Sequence, residues 1–311
     1  MAEAQGTQDG DALARELALA LREDRPPRFG MAPVNRWISA LDELVASSRF
    51  ELAHHALRHL VQASPDLPWP RQLLTLLDGL PKAGPDDPPF QDRGKAEVQL
   101  VRREGADTLV FAFCGARIHR MGMPLSLFQR WINPLNCHVV YLRDFRHLAY
   151  QGGIPSLGAD QPQTVQALKR MAANLGARRV LCVGMSAGGY GALSCAAALG
   201  AERVLAFSPA INLDAEFNTF LTWSEAAALL RRWRPDGEFD LRPRLARQGG
   251  DPPALIVYGR QCWDDRFHVE YAADLPGLSF WPLEGFRGHQ SPTELVRRGE
   301  FGAVLQALAA A

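Results

Sequence analysis

Long apolar runs are missing from this chain. No stretch approaches the ~18 uncharged apolar residues that a membrane-spanning helix needs. Met1-Ala2-Glu3-Ala4-Gln5-Gly6 has no basic start followed by an apolar core, as a secretion signal would. The expected setting is therefore cytoplasmic, with no membrane span. Charge of one sign is missing too. Lys+Arg and Asp+Glu both number 34, a formal net charge of zero. Such a chain has no global electrostatic case for nucleic acid or an anionic surface. Cysteine is scarce and odd in number. The five, at 114, 137, 182, 195 and 262, include no Cys-x-x-Cys pair and no His/Cys cluster with metal spacing. Cys114, Cys137 and Cys182 lie in or beside apparent core strands and Cys195 in an apolar helix, so they read as reduced and buried. No metal and no organic cofactor is implied.

What is present is a large apolar fraction. At 311 residues and 47% hydrophobic, the chain can build one large domain and a small one. Residues 1–10 read as disordered, and Leu13, Leu17 and Leu21 mark a helix over Asp11–Glu23. Trp37, Leu41, Leu44 and Val45 mark a second helix; Phe50, Leu52, Ala53, Leu57, Leu60 and Val61 mark a third. A further helix runs over Trp69–Leu80, with Pro70 in its first turn. The segment of the second and third helices resembles a single tetratricopeptide unit, with Pro65 as its terminal proline. Trp37, Ala53 and Leu57 then match signature positions, while Ala40 and Leu41 depart from the Leu-Gly pair of that repeat. The resemblance implies a protein partner for the N-terminal helices; an ordinary helical hairpin is the plainer alternative. Residues 81–94, with four prolines and Asp86-Asp87, read as a stiff linker between domains 1–80 and 95–311.

Beyond residue 95 short apolar strands alternate with helices. Strand patterns lie at Glu97–Val101, Thr108–Phe113, His138–Leu142, Val180–Gly184, Val204–Phe207, Ala254–Tyr258 and Leu278–Pro282. Helical patterns lie at Leu125–Ile132, Gln161–Leu175, Gly188–Leu199, Val269–Ala273 and Pro292–Leu308. Alternation of this kind predicts an α/β fold with a mostly parallel, doubly wound sheet of about seven or eight strands, and a ligand site at the carboxyl ends of those strands.

One junction carries chemistry. The strand Val180–Val183 runs into Gly184-Met185-Ser186-Ala187-Gly188-Gly189-Tyr190-Gly191 and then into a small-residue helix. A serine on such a strand–turn–helix corner sits at positive φ with its Oγ exposed, and Gly184 and Gly188 leave room for the turn. A nucleophilic serine needs a base, and the base an orienting acid. His289 follows the last strand in a Gly-His loop before a helix. Asp264 and Asp265 follow the strand ending at Tyr258; adjacent side chains diverge, so one can serve His289 and the other cap the following helix. Asp265 is favoured for the base, and Asp144 comes next if both fail. For an oxyanion hole, Ala187 supplies one backbone N–H and the Cys114-Gly115-Ala116 loop another, from Ala116 in preference to Gly115.

Residues 95–311 resemble the α/β-hydrolase superfamily. Within it they are similar to bacterial proteins with Phe-x-Gly (Phe113-Cys114-Gly115), Gly-x-Pro (Gly122-Met123-Pro124), Arg143-Asp144 and a Gly-x-Ser-x-Gly-Gly-Tyr elbow (Gly184–Tyr190). Ala116 stands where many relatives have a second glycine. The resemblance implies a Ser-His-Asp serine hydrolase cleaving an ester or thioester through an acyl-enzyme, without naming the acyl group. The substrate is then a small-molecule or carrier-bound acyl compound. An acyltransferase using the same site, or a silent scaffold acting through its N-terminal helices, are the alternatives. Tyr150, near the strand ends, and Trp223, in a lid over 211–250, are the expected substrate contacts. Phe217, Phe220, Leu221 and Trp233 share that segment, which reads equally well as a packed helix pair.

Overall fold

The structure, a computed structural model, describes residues 2–31, 33–116 and 120–310. The chain divides into two compact units, one of Met1–Ala83, Pro89–Asp92 and Pro124–Trp131 and one of the remainder.

The smaller unit is helical: α1 (Ala2–Arg22), α2 (Val34–Ala46), α3 (Phe50–Ala63), α4 (Pro68–Asp78) and most of α5 (Leu125–Ile132). The apolar positions read at helical spacing are the ones buried. Trp37, Leu41, Leu44 and Val45 of α2 pack with Ala53, Ala56, Leu57 and Leu60 of α3. Trp37 also donates its indole N–H to the Phe29 carbonyl at 2.9 Å. Three expectations change here. Residues 2–10, read as disordered, continue α1, whose buried Leu13 and Leu17 supply an anchor from which helix propagates. Met1 lies outside the described residues. Residues 81–94 are not a free linker. Gly84–Pro88 belongs to the larger unit, where Asp87 accepts from Gly84 N–H and pairs with Arg103, while Pro89–Asp92 belongs to the smaller, where Phe90 is buried. And α5, read as part of the sheet domain, falls in the smaller unit, where the Arg130 guanidinium lies 5.4 Å from the Phe50 ring centroid.

The larger unit is an α/β-hydrolase fold. Its strands are β1 (Val98–Val101), β2 (Thr108–Phe113), β3 (His138–Leu142), β4 (Arg179–Met185), β5 (Arg203–Phe207), β6 (Ala254–Gly259) and β7 (Leu278–Leu283). They form one sheet in the order β1-β3-β2-β4-β5-β6-β7, with β1 antiparallel to β3 and every other pair parallel. Every residue of β2 and β3 is buried, as parallel strands covered on both faces require. Each large side chain so buried contributes roughly 1.5–3 kcal/mol.

The helices of this unit are α6 (Gln161–Asn174), α7 (Ala187–Leu199), α8 (Ser224–Trp233), α9 (Arg242–Gln248), α10 (Trp263–Tyr271), α11 (Ser291–Arg298) and α12 (Phe301–Ala309). The Asp160 carboxylate caps α6 by accepting from Gln163 N–H at 2.8 Å. Two helices depart from their sequence reading. The single helix expected over 292–308 is broken by Gly299 at φ 72°, and α10 begins six residues before the expected Val269. Its first turn therefore carries both Asp264 and Asp265.

Strand order reverses at β2. The chain leaves β2 for β3 on one side and later returns to β4 on the other. Such a switch point opens a crevice at the carboxyl ends of the strands. Phe113 pairs with Gly184 in the β2–β4 ladder, which sets the loop after β2 beside the turn after β4. Among the described residues, no helix is long and apolar enough to cross a membrane.

Candidate active site

β4 passes into α7 through Ser186, at φ 59° and ψ −122°. That conformation costs an L-residue on the order of 1–3 kcal/mol, so its surroundings must over-determine it. Two glycines make the closure sterically open. A methyl group on Gly184 would overlap the Gly188 carbonyl, and one on Gly188 would overlap the Phe113 carbonyl. Backbone bonds hold the turn: Ser186 N–H to Phe207 O at 2.8 Å, and Tyr190 N–H to Ser186 O at 3.2 Å.

Ser186 Oγ lies 2.9 Å from His289 Nε2, and His289 Nδ1 lies 2.6 Å from Asp265 Oδ1. A carboxylate accepts hydrogen bonds, so in the neutral ring Nδ1 carries the proton and Nε2 turns its lone pair to the serine hydroxyl. The second carboxylate oxygen of Asp265 accepts from Gly259 N–H at 3.2 Å. The Asp265 side chain is 1% accessible and that of His289 is 32%, so the acid is sealed and the base opens to solvent. Burial pulls the imidazole pKa down. The bonds with Asp265 and with the neighbouring Cys262 thiol outweigh it and push it up to about 9.

The His289 loop is held from below. A Cβ on Gly122, at φ 77°, would collide with the Pro292 ring, and Thr293 donates to the Gly122 carbonyl at 2.9 Å. Gly122 thus packs against the start of α11, directly after the histidine.

The two adjacent acids separate. Asp265 faces His289, whereas Asp264 accepts from the Thr222 N–H at 3.3 Å and hydroxyl at 2.6 Å, tying the segment before α8 to α10. Neither aspartate caps α10; the N-cap position is Cys262. Asp144, the reserve candidate, is occupied elsewhere, accepting from Arg146 N–H and Tyr150 N–H.

Ala187 and Ala116 both line the cleft beside Ser186. The Gly115 N–H is spent on the Arg120 carbonyl at 2.9 Å, which removes it as an oxyanion donor. Its glycine character still matters, since a Cβ there would sit 3.2 Å from the Met185 carbonyl oxygen. Tyr150 does not contact substrate space. It is buried, with its hydroxyl 2.8 Å from Cys114 O and 2.7 Å from Leu142 O, underneath the loop that carries Gly115 and Ala116. Trp223 does line the cleft, its ring centroid 5.9 Å from that of His289.

The cleft encloses about 600 Å³. Ala149, Met185, Trp223, Ala226 and Leu229 form apolar wall; Arg120, His147, Glu225 and Gln290 add polar groups. Segment 211–250 thus reaches the site through α8. Phe217 turns the other way, onto Phe267 and Tyr271, and Phe220 is exposed. Sequence reasoning missed His268. It is fully buried one turn after Asp265, accepts from Ile211 N–H at 3.2 Å, and its Nε2 has no partner among the described residues. Burial pushes its pKa down to about 4, so it packs as a neutral ring beside Trp223. Its only sequence signal is the three-residue spacing from Asp265 along one helix.

No family model matches the chain, and no curated protein matches it. Among solved structures it is similar to a bacterial heroin esterase, at 17% identity and TM-score 0.49, over 68% of this chain and 78% of that one. It is also similar to an S-formylglutathione hydrolase from Staphylococcus aureus, at 16% identity and TM-score 0.48, over 68% and 86% of the two chains. A thermostable carboxylesterase from a metagenomic library gives 17% identity and TM-score 0.47, over 68% and 83%. Likenesses this distant say nothing of activity or substrate, which rest on the geometry of the site.

Proposed function

We propose that this chain is a serine hydrolase that cleaves a carboxylic ester or thioester through an acyl-enzyme on Ser186. The observation that carries the reading is the unbroken relay Ser186–His289–Asp265, at 2.9 and 2.6 Å, on a serine held at positive φ at the mouth of a cleft.

The chemistry follows from that relay. Ser186 Oγ attacks the acyl carbon while its proton passes to His289 Nε2. Asp265 holds the imidazole in the required tautomer and stabilises the imidazolium that forms. The developing oxyanion accepts from the backbone N–H groups of Ala187 and Ala116. The N-terminus of α7 adds its partial positive charge. The imidazolium then returns its proton to the departing alkoxide or thiolate. Water repeats the sequence on the acyl-enzyme, losing its proton to His289 and releasing the acid. The wall formed by Trp223, Ala226 and Leu229 suits an apolar acyl group, and the ~600 Å³ cleft admits one of medium length.

Labelling with a fluorophosphonate probe tests the nucleophile, followed by turnover of p-nitrophenyl esters of graded chain length with acyl thioesters alongside. The reading expects wild type, and not Ser186→Ala, to take one probe per chain, and turnover to peak at an intermediate acyl length. Labelling that persists in Ser186→Ala would overturn it.

A further inference from the structure

The Cys262 thiol lies beside the Asp265–His289 pair and has no part in the relay. Sulfur, carboxylate oxygen and imidazole nitrogen all lie within 4.8 Å of one another. Among the described residues this is the one cluster of three such donors. Donors around a tetrahedral zinc ion, with bonds of about 2.0–2.3 Å, are spaced roughly 3.3–3.8 Å apart. The 2.6 Å pair of Nδ1 and Oδ1 therefore needs to spread by only about 1 Å for an ion to enter.

The surroundings suit a cation. Asp265 is already oriented through its other oxygen by Gly259 N–H, the kind of outer support that ligating carboxylates have. Gly259 also accepts the Cys262 N–H at 3.0 Å, so one turn after β6 fixes both the sulfur and the carboxylate. Cys262 occupies the N-cap of α10. A divalent ion between one thiolate and one carboxylate leaves no net charge, which removes the penalty that a lone buried ion would carry.

We propose that Cys262, Asp265 and His289 form an inhibitory site for a thiophilic divalent cation, zinc above all, that switches hydrolysis off. The protons balance as follows. The Cys262 thiol releases its proton to solvent on metal binding. The imidazole releases its Nδ1 proton to solvent and holds one at Nε2, kept from the imidazolium or, in the neutral ring, taken from solvent. With Nε2 protonated, His289 can no longer accept the proton of Ser186. The switch rests on the role proposed above for His289; metal binding itself does not. Sulfur selects zinc, cobalt or cadmium over magnesium or calcium, which prefer oxygen donors.

Cobalt titration of the reduced full chain reads the site directly. One Co²⁺ per chain should bind with thiolate-to-cobalt charge-transfer absorption, in wild type and equally in Ser186→Ala. Cys262→Ala should lose the absorption, and Cys262→Ser, which keeps the shape of the side chain, should lose it too. In p-nitrophenyl ester turnover, Zn²⁺ should inhibit wild type and a chelator should restore it, while Mg²⁺ has no effect. Both Cys262 variants should be at least about tenfold less sensitive to Zn²⁺, each measured against its own zinc-free rate. Unchanged absorption in the two variants, or none in wild type, overturns the site. Absorption without inhibition in an active enzyme overturns the switch. An enzyme that hydrolyses esters yet ignores cobalt and zinc overturns this inference and leaves the hydrolase reading standing. Cobalt absorption lost with Cys262, in a chain inert to esters and to the fluorophosphonate, supports the metal site and removes the hydrolase reading.

Discussion

The elbow at residues 184–191 and the loop at residues 144–153 flank the same cleft and solve backbone crowding in different ways. The elbow concentrates its strain on one residue, Ser186, and clears space around it with glycine. The loop spreads positive φ over His147, Ala149 and Tyr150 as well as Gly153. Side-chain bonds hold it in place: Asp144 accepts from Arg146 and Tyr150 N–H, the Arg146 guanidinium donates to the Gly152 and Gly153 carbonyls, and Gln161 reaches the Tyr150 carbonyl. The two regions meet where a Cβ on Gly191 would strike the Tyr150 ring. The elbow thus meets its steric need with small residues alone, while the longer loop adds polar groups from several positions to its glycines.

The comparison breaks most sharply at the nucleophile. Ser186→Ala should keep the fold and lose on the order of 10⁴–10⁶ in kcat, read by ester turnover with circular dichroism as the control. Retention of more than about a tenth of the activity would remove the elbow from the chemistry.

Asp265→Asn should cost about 10⁴ in kcat, because the imidazole loses both its tautomer and its counter-charge. The pH dependence sharpens this. His289 is pushed up to about 9 in the folded chain, above its ordinary 6.5. Only the neutral ring accepts a proton, so kcat/KM should keep rising with pH through about 9. The stability from imidazolium–Asp265 pairing runs the other way, being full below about 6.5 and lost as pH climbs through the folded pKa. In Asp265→Asn the activity limb should move to lower pH; a limb that stays put would assign the shift to another group.

Gly188→Ala tests whether the elbow depends on missing side chains. Its methyl would overlap the Phe113 carbonyl, a backbone atom that cannot rotate away. A loss of about 3 kcal/mol or more in denaturant unfolding is expected. A loss under about 1 kcal/mol would show that the turn can widen.

Tyr150→Phe tests the loop. The hydroxyl has one proton and two carbonyls in reach, those of Cys114 and Leu142. Removing it should cost about 1–2 kcal/mol of stability. It should also lower kcat by up to about tenfold at unchanged KM, since the loop bearing Ala116 loosens only where the oxyanion forms. A rise in KM with kcat intact would return Tyr150 to substrate contact. The smallest effect belongs to Asp264→Asn. It keeps one acceptor for Thr222 and should cost less than about 1 kcal/mol, with little change in turnover.

Much of the site was legible before any fold was known, for a local reason. Gly184 and Gly188 two residues either side of a serine, after an apolar run, describe a turn whose geometry is set within eight residues. His289 and Asp265 were legible because each follows a strand, and parallel strands deliver their ends to one edge of a sheet. Tyr150 was misread on the same logic. Its position near the strand ends was right, but whether a side chain points into a cleft or beneath a loop depends on partners as far off as Cys114, 36 residues away.

The sequence by itself determined the alternation of strands and helices, the burial of the apolar runs and the strand–turn–helix corner at Ser186, because periodicity and small-residue spacing act over a few residues. Only the tertiary structure decided which of two adjacent aspartates faces His289, that the Gly115 N–H is already spent, that residues 125–131 join the helical unit, and that Cys262 comes to lie against the Asp265–His289 pair. Those outcomes turn on the direction of single side chains and backbone dipoles. Such directions are fixed by hydrogen bonds and packing between segments far apart in the chain, which no local pattern of residues encodes.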